Sequence, residues 1–194
     1  GISARTSQRM RKPMYTVTPK DVITFWTEAG PALWFAENRD FDARLRWSFF
    51  GAQQAAARGD LDDWQATPDG ALALILLLDQ FPRNIFRGLA RAFASDAKAL
   101  AVAHRAIAAG FDAQYKPPLR RFFYLPMMHA EDLTEQDFCI EKCRACGDDD
   151  GVKFGLIHRE AISKFGRFPT RNAVLGRVNT PKEIAFLQEA SHGG

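Results

Sequence analysis

Five residues able to bind anions or exchange protons follow an apolar run that ends at residue 78: Asp79, Gln80, Arg83, Asn84 and Arg87. A helix that is apolar on every side is buried, so Asp79 is predicted in a medium of low dielectric constant, at the negative end of the helix dipole. Arg83 or Arg87 can compensate by folding back onto this carboxylate and the last carbonyls. The result is either a purely structural lock or, because one carboxylate cannot saturate these arginines and Arg91, a guanidinium left for a ligand anion.

The end of this helix is predicted from Pro82. A residue that precedes proline is disfavoured in helical geometry, so the helix is expected to stop at Phe81.

A second segment repeats the pattern 87 positions later, where FPTRN at 168–172 echoes FPRN at 81–84. Arg167 and Arg171 lie on a loop shaped by glycine and proline, and Asn172 follows them. Such loops commonly hold functional groups, and paired arginines favour phosphate or carboxylate. We therefore predict that Arg167, Arg171 and Asn172, in this second segment, bind the same ligand as the polar residues at 79–87, called the first segment below.

Three titratable residues are candidates for catalysis: His129, Glu131 and His158. The histidine and the glutamate follow a proline break and form either a catalytic pair or two metal ligands, although the glutamate also suits the acidic first turn of a helix. His158 falls within the apolar stripe predicted for the helix at 152–165, where a structural core histidine is the simpler interpretation. A general base at either histidine would need a carboxylate to tune its pKa.

No metal and no cofactor are predicted. The histidines, Glu131 and Asp79 show no ligand spacing on one helix, and a His-Glu-x-x-His motif is absent. The cysteines have the Cys-x3-Cys-x2-Cys spacing of an iron–sulfur motif, but they share one face of a predicted helix. Cys139, Cys143 and Cys146 are therefore expected to be buried and inert.

Helices must position all of these groups. Thr18, Thr67 and Thr180 each precede a proline, which is typical of an N-cap followed by the first helical residue. Apolar residues then recur at helical spacing, and no alternating run is bounded by hairpin turns. The sequence predicts an all-α fold in a single domain, residues 15–194, with about eight helices. They are expected near 18–30, 41–59, 67–80, 95–110, 119–125, 134–146 and 152–165 and after residue 180.

Composition narrows the function classes. The chain has no window of about 18 apolar residues and no signal-peptide pattern, so we expect a cytoplasmic protein without a membrane partner. The formal net charge is +3, but a basic stretch within residues 1–14, predicted to be a flexible tail, accounts for this excess. Nucleic acid is therefore an unlikely partner, and nothing in the sequence indicates the oligomeric state.

Three polar-rich blocks carry a family resemblance: LLDQFPRNIFRG, FFYLPMMHAEDLTEQ and HREAISKFGRFPTRNAVLGRVNTPKE. They resemble the signature blocks of the bacterial family catalogued as domain of unknown function 924, over about residues 22–187. The resemblance implies a fold similar to tetratricopeptide-type helical superhelices and supports the candidate residues named above. It implies no reaction.

The leading hypothesis is that the polar loops converge on one pocket. This pocket would bind a small anionic ligand bearing phosphate or carboxylate, and whether it also catalyses a reaction is left open. The alternative is an interaction scaffold that binds an acidic peptide along a groove. A third hypothesis is RNA binding through the basic segment 153–177. An enclosed pocket would favour the small ligand, and an open concave strip the peptide.

Overall fold

The computed structural model describes residues 17–192, where all regular structure is helical. The predicted tail at 1–14 lies outside the described residues. Within the described part, eleven α-helices follow in chain order: α1 Pro19–Ala29, α2 Pro31–Trp34, α3 Arg39–Arg58, α4 Pro68–Leu78, α5 Gln80–Ile85, α6 Asp96–Ala108, α7 Leu125–Met128, α8 Leu133–Ala145, α9 Asp149–Phe165, α10 Asn172–Leu175 and α11 Pro181–His192. Short 3-10 segments join them at Asp62–Ala66, Ala90–Phe93, Phe111–Gln114, Leu119–Phe123 and Pro169–Arg171. The all-α prediction is confirmed.

The predicted helix starts follow from their caps. The Thr18 hydroxyl accepts a hydrogen bond from the Asp21 N–H at 3.2 Å, while the Asp21 carboxylate accepts one from the Thr18 N–H at 2.8 Å. Thr67 caps α4 through the Gly70 N–H at 3.0 Å. Thr180 caps α11 in the same reciprocal manner as α1. Each cap satisfies N–H groups that the helix itself leaves without partners.

Helix α4 lies at the centre of the fold. Every residue from 70 to 78 is buried, and α1, α3 and α6 pack around it. The segment Asp62–Ala66 crosses its first turn so closely that a Cβ at Gly70 would lie 2.1 Å from the Trp64 carbonyl oxygen. Only glycine fits there, because the opposing atom belongs to the backbone.

Aromatic residues fix the end of α4 against its neighbours. The Trp26 ring lies 5.5 Å from both Phe81 and Phe122, and Trp34 contacts Phe122 edge to face at 4.9 Å. Aromatic pairs of this kind add to the stabilisation from burial. The junction between α4 and α5 is therefore held rigidly on one side.

The break between these two helices differs from the prediction. Helix α4 ends at Leu78, and α5 begins at once with Gln80, so Phe81 and Pro82 lie inside a helix. Pro82 is tolerated at the third helical position because the first N–H groups of a helix have no intrahelical partner. Two carbonyl groups at the break accept hydrogen bonds from side chains. Ser95 Oγ donates to the Leu78 carbonyl oxygen at 2.6 Å, and Arg83 donates to the Asp79 carbonyl oxygen at 2.8 Å.

Helices α8 and α9 pack along each other through small residues. A Cβ at Gly155 would lie 2.9 Å from the Ile140 side chain, so α9 approaches α8 closely on this face. Cys139 and Cys143 are buried at this contact, as predicted, and Cys146 is half-buried. None of the described helices is long and apolar enough to cross a membrane.

The stripe predicted on α9 is only partly buried. Ile162 faces the interior, but Phe154 and Ile157 are exposed. Gly151 and Gly155 of α9 pack closely against α8, so the face of α9 that carries these glycines is the one turned inward.

Candidate functional site

A buried carboxylate forms the centre of the site. Asp79 lies at the break between α4 and α5 and is only 2% exposed. His129, which directly follows α7, places Nδ1 2.9 Å from each carboxylate oxygen. Arg83, on the next turn of α5, lies 3.3 Å from Oδ1. The structure thus brings together three residues that the sequence predicted for one site.

Arg83 also bridges to a second carboxylate. Its guanidinium makes two parallel hydrogen bonds to Asp96, at the start of α6, at 2.8 and 2.9 Å. Although burial opposes a charge on Arg83, Asp79 and Asp96 outweigh that effect and raise its pKa. Burial likewise opposes ionisation of Asp79, but the contacts with His129 and Arg83 hold its pKa below the usual value. This cluster is the structural lock expected from the sequence.

The contact with Asp79 fixes the tautomer of His129. A carboxylate accepts hydrogen bonds, so the ring proton resides on Nδ1 and Nε2 keeps its lone pair. Burial lowers the pKa of His129, and the charge of Arg83 lowers it further, against the opposing effect of Asp79. The imidazole is therefore neutral near pH 7, which suits a proton acceptor.

The two histidines should titrate below the ordinary value of about 6.5, because burial lowers the pKa of both His129 and His158. Because the folded protein favours the neutral form of both histidines, this contribution to the free energy of unfolding is complete at pH values above the unfolded-state pKa. This contribution is lost as the pH falls towards the folded-state pKa. NMR titration of the imidazole resonances measures both values, and the same resonances in urea give the reference. A pKa of His129 above its value in urea would contradict the expectation.

Arg171 lies across the cluster, at the end of the segment Pro169–Arg171. Its guanidinium lies over the rings of Phe93 and Phe168, 4.7 and 4.6 Å from their centroids. Nη2 donates to the His129 carbonyl oxygen at 2.8 Å, and Nη1 lies 3.8 Å from Asp96. Burial lowers the pKa of Arg171, and the nearby Arg83 adds to this effect. The carboxylates of Asp96, Glu131 and Asp79 oppose this lowering of the pKa without outweighing it, so the protein compensates the charge of Arg171 only in part.

Arg171 and His129 line one cleft of about 410 Å³. Asp96 and Glu131 supply its other charged side chains, and both already bind arginines. The remaining wall is apolar and comes from the segment 90–94, from α6, α7 and α10, and from the loop after α7: Ala90, Phe93, Ala94, Ala97, Leu100, Pro126, Ala130 and Leu175. The cleft, called the arginine cleft below, offers one cation and one neutral imidazole on a largely apolar surface.

Glu131 has a positioning role. Its carboxylate accepts two hydrogen bonds from Arg177, at 2.8 and 3.1 Å, and one from the Phe168 N–H at 2.6 Å. Although burial opposes ionisation, these donors hold the pKa of Glu131 below its usual value. Glu131 thereby ties the loop that carries Arg171 to the loop that carries His129.

The remaining predicted residues of the first segment bind other partners. Arg87 binds Asp42 of α3 at 2.8 and 3.2 Å, and Asn84 donates to the same carboxylate at 2.9 Å. Gln80 donates to Asn84 and to the Trp34 carbonyl oxygen. Gln80 and Arg87 line a neighbouring cavity of about 330 Å³ rather than the arginine cleft.

Two predicted residues of the second segment point away from the arginine cleft. Arg167 binds Glu183 of α11 at 2.8 and 2.9 Å, and Asn172 donates to Glu183 at 3.1 Å and to Asn179. Bonds from Arg167 and from the Thr180 backbone hold the pKa of Glu183 well below its usual value. These residues attach α11 to the rest of the fold.

His158 lies beside His129, with 6.4 Å between the ring centroids. Its Nδ1 donates to the Phe154 carbonyl oxygen at 2.7 Å, which leaves Nε2 with its lone pair. The two predicted histidines are thus neighbours, and only His129 lines the arginine cleft.

Sequence reasoning missed four charged residues of this region: Asp42, Asp96, Arg177 and Glu183. The sequence offers one signal for the three acids, which all lie in the first turn of a helix, at α3, α6 and α11. Acids at such positions are explained by the helix dipole, so nothing marked them as partners for arginine. Among residues 17–192, no group of three or more histidines, cysteines and acids is arranged to hold a metal ion.

Comparisons with known proteins agree with this architecture. A family model described as bacterial protein of unknown function (DUF924) matches residues 22–191. A solved structure of a protein of unknown function from Agrobacterium tumefaciens is 42% identical in sequence, with a TM-score of 0.85. The match covers 88% of this chain and 97% of that one. No curated protein matches the chain.

Proposed function

The chain belongs to the family of bacterial proteins of unknown function (DUF924), and we propose that its arginine cleft binds a small ligand bearing a carboxylate or phosphate group. The observation that carries this proposal is the unequal pairing of the arginines. Four of them have a carboxylate oxygen at 2.8 Å: Arg83, Arg87, Arg167 and Arg177. For Arg171, the carboxylate contact within the described residues is 3.8 Å, to an Asp96 that Arg83 already occupies.

A largely buried guanidinium whose nearest carboxylate is 3.8 Å away and already bound to another arginine is unfavourable, because it loses hydration without an equivalent interaction. An anion in the arginine cleft would compensate this charge. Contacts with two phenyl rings and a hydrogen bond to the His129 carbonyl oxygen hold the Arg171 guanidinium in place before a ligand arrives. Such a fixed planar group suits the two oxygens of a carboxylate or phosphate.

His129 supports a catalytic extension of the proposal. It lines the same cleft as Arg171, so an anion at Arg171 has its neighbouring atoms beside the imidazole. Asp79 orients the ring and fixes its tautomer. We propose that His129 accepts a proton from the bound ligand or from a water molecule next to it.

A thermal-shift panel tests ligand binding. Orthophosphate, phosphate monoesters and small mono- and dicarboxylates would be screened against the wild-type protein and Arg171→Ala. We expect at least one compound to raise the wild-type Tm by several degrees at about a hundredfold its Kd, and to leave the Tm of the variant unchanged. A panel without any stabilising compound would count against the proposal, and so would equal shifts in both proteins.

A further inference from the structure

His129 lines two cavities besides the arginine cleft. The cavity of about 330 Å³ shares Phe93 and His129 with that cleft. A third cavity, of about 220 Å³, shares Phe35 and His129 with the second. The three cavities therefore adjoin one another around the His129 side chain.

The third cavity, called the apolar compartment below, differs from the arginine cleft in character. Its walls are Phe35, Leu125, Met128 and Phe154, together with Arg121 and the two histidines. Arg121 is fully paired, since its guanidinium binds Asp148 at 2.7 and 2.6 Å. Both histidines are held neutral by burial, which lowers the pKa of each. The compartment therefore carries no uncompensated charge.

The apolar compartment has a buried floor and an exposed rim. Leu125 and Met128 are 3% and 2% exposed, whereas Phe35 and Phe154 are 53% and 42% exposed. An apolar group that fills the cavity removes these exposed phenyl rings from water, which is favourable. A dry apolar cavity of about 150 Å³ is sufficient to bind benzene, so a compartment of about 220 Å³ has room for an aromatic ring.

We propose that the apolar compartment binds the hydrophobic part of the ligand whose anionic group binds Arg171. This inference rests on the proposed function and specifies its ligand class, which is a carboxylate or phosphate carrying an aromatic or similarly sized apolar group. The position of His129 orders the two ends of the ligand, because this residue lines both the arginine cleft and the apolar compartment. The atoms that join the two ends then lie beside Nε2 of this histidine.

The test compares probes that share one anionic group. Acetate, phenylacetate, 3-phenylpropanoate and 4-phenylbutanoate would be titrated into the protein and followed by NMR shifts. At least one phenyl compound is expected to bind roughly tenfold to a hundredfold more tightly than acetate, since its ring leaves water for the compartment. Phe154→Ala should remove most of this advantage. Leu156→Ala is the matched control, because Leu156 is an exposed residue of the same helix and lines none of the three cavities.

The outcomes separate this inference from the proposed function. If acetate and the phenyl compounds bound equally tightly, and if Arg171→Ala weakened the binding of all of them, the role of the apolar compartment would be overturned. The proposed anion site would stand. Tight binding of a phenyl compound that is unchanged in Arg171→Ala would overturn the link between the two ends and contradict the proposed function. Equal losses in Phe154→Ala and Leu156→Ala would also overturn the inference, because the ring would then bind elsewhere.

Discussion

Replacing Asp79 with asparagine is expected to lower the free energy of unfolding by about 3–5 kcal/mol, the usual effect of removing one partner from a buried ion pair. An amide keeps one acceptor oxygen and carries no charge, so His129 Nδ1 would lose one of its two oxygen contacts and Arg83 would lose a buried counter-charge. Burial opposes ionisation of Asp79, but the contacts with His129 and Arg83 hold its folded-state pKa below the unfolded value. Its stabilising effect is therefore complete near pH 7 and is lost as the pH falls through the folded-state pKa.

Guanidinium chloride denaturation at pH 7 measures this difference. Asp60→Asn is a matched control, because Asp60 pairs with Arg58 at 3.0 Å while both side chains are largely exposed. Exposed pairs contribute at most about 1 kcal/mol, so the control should unfold close to the wild-type midpoint. If the two variants were equally stable, Asp79 would not be the centre of the lock.

Arg171→Ala is expected to weaken binding of the best compound from the thermal-shift panel by about thirtyfold or more, the usual loss when one side of a buried charged contact is removed. The guanidinium supplies a partly compensated charge in the arginine cleft, and its contacts with Phe93 and Phe168 hold it in place. Isothermal titration calorimetry on wild-type and variant proteins gives the ratio of the two Kd values. Circular dichroism establishes that the variant remains folded.

Arg167→Ala separates the arginine cleft from the general basic character of this loop. Arg167 is four residues away, but its guanidinium binds Glu183 and the Val178 carbonyl oxygen rather than the cleft. We expect it to retain the wild-type Kd. A similar loss of affinity in Arg167→Ala and Arg171→Ala would show that the anion binds to the loop as a whole.

The local part of the site follows from the sequence. The cost of a buried carboxylate predicts that Arg83 or Arg87 folds back onto Asp79, and Arg83 makes this contact in the structure. The same physical reason predicts that arginine satisfies a carbonyl at the break, as Arg83 does at 2.8 Å. The predicted helix end was wrong, because the first helix ends at Leu78 and Pro82 lies inside a second helix that begins at Gln80.

The distant part of the site does not follow from the sequence. The surplus of arginines after residue 82 is real, but partners from other helices satisfy most of it: Asp42 of α3, Asp96 of α6 and Glu183 of α11. In the sequence, Asp42 lies 45 positions from Arg87, Asp96 lies 13 positions from Arg83, and Glu183 lies 16 positions from Arg167. Single-sequence patterns describe contacts within a helix and not the packing between helices. Only the three-dimensional structure therefore distinguishes Arg171 from the paired arginines.

The fold class was predictable because the signals that indicate helices lie close together in the sequence. Thr-Pro starts and helical spacing are local signals, and each predicted start is capped as expected. The similarity to tetratricopeptide-type arrays stays a prediction.

The most direct test of the central claim is to locate a bound anion by NMR. Titration of ¹⁵N-labelled protein with orthophosphate would follow the Arg171 Nε–H resonance, assigned by its loss in Arg171→Ala, and the His129 imidazole. We expect both to shift with one Kd, while Arg91 does not respond. Arg91 is the natural comparison, because this exposed arginine donates to Gln54 and lines a separate cleft with Arg58 and Lys98. A response of Arg91 with no change at Arg171 would contradict the proposed site.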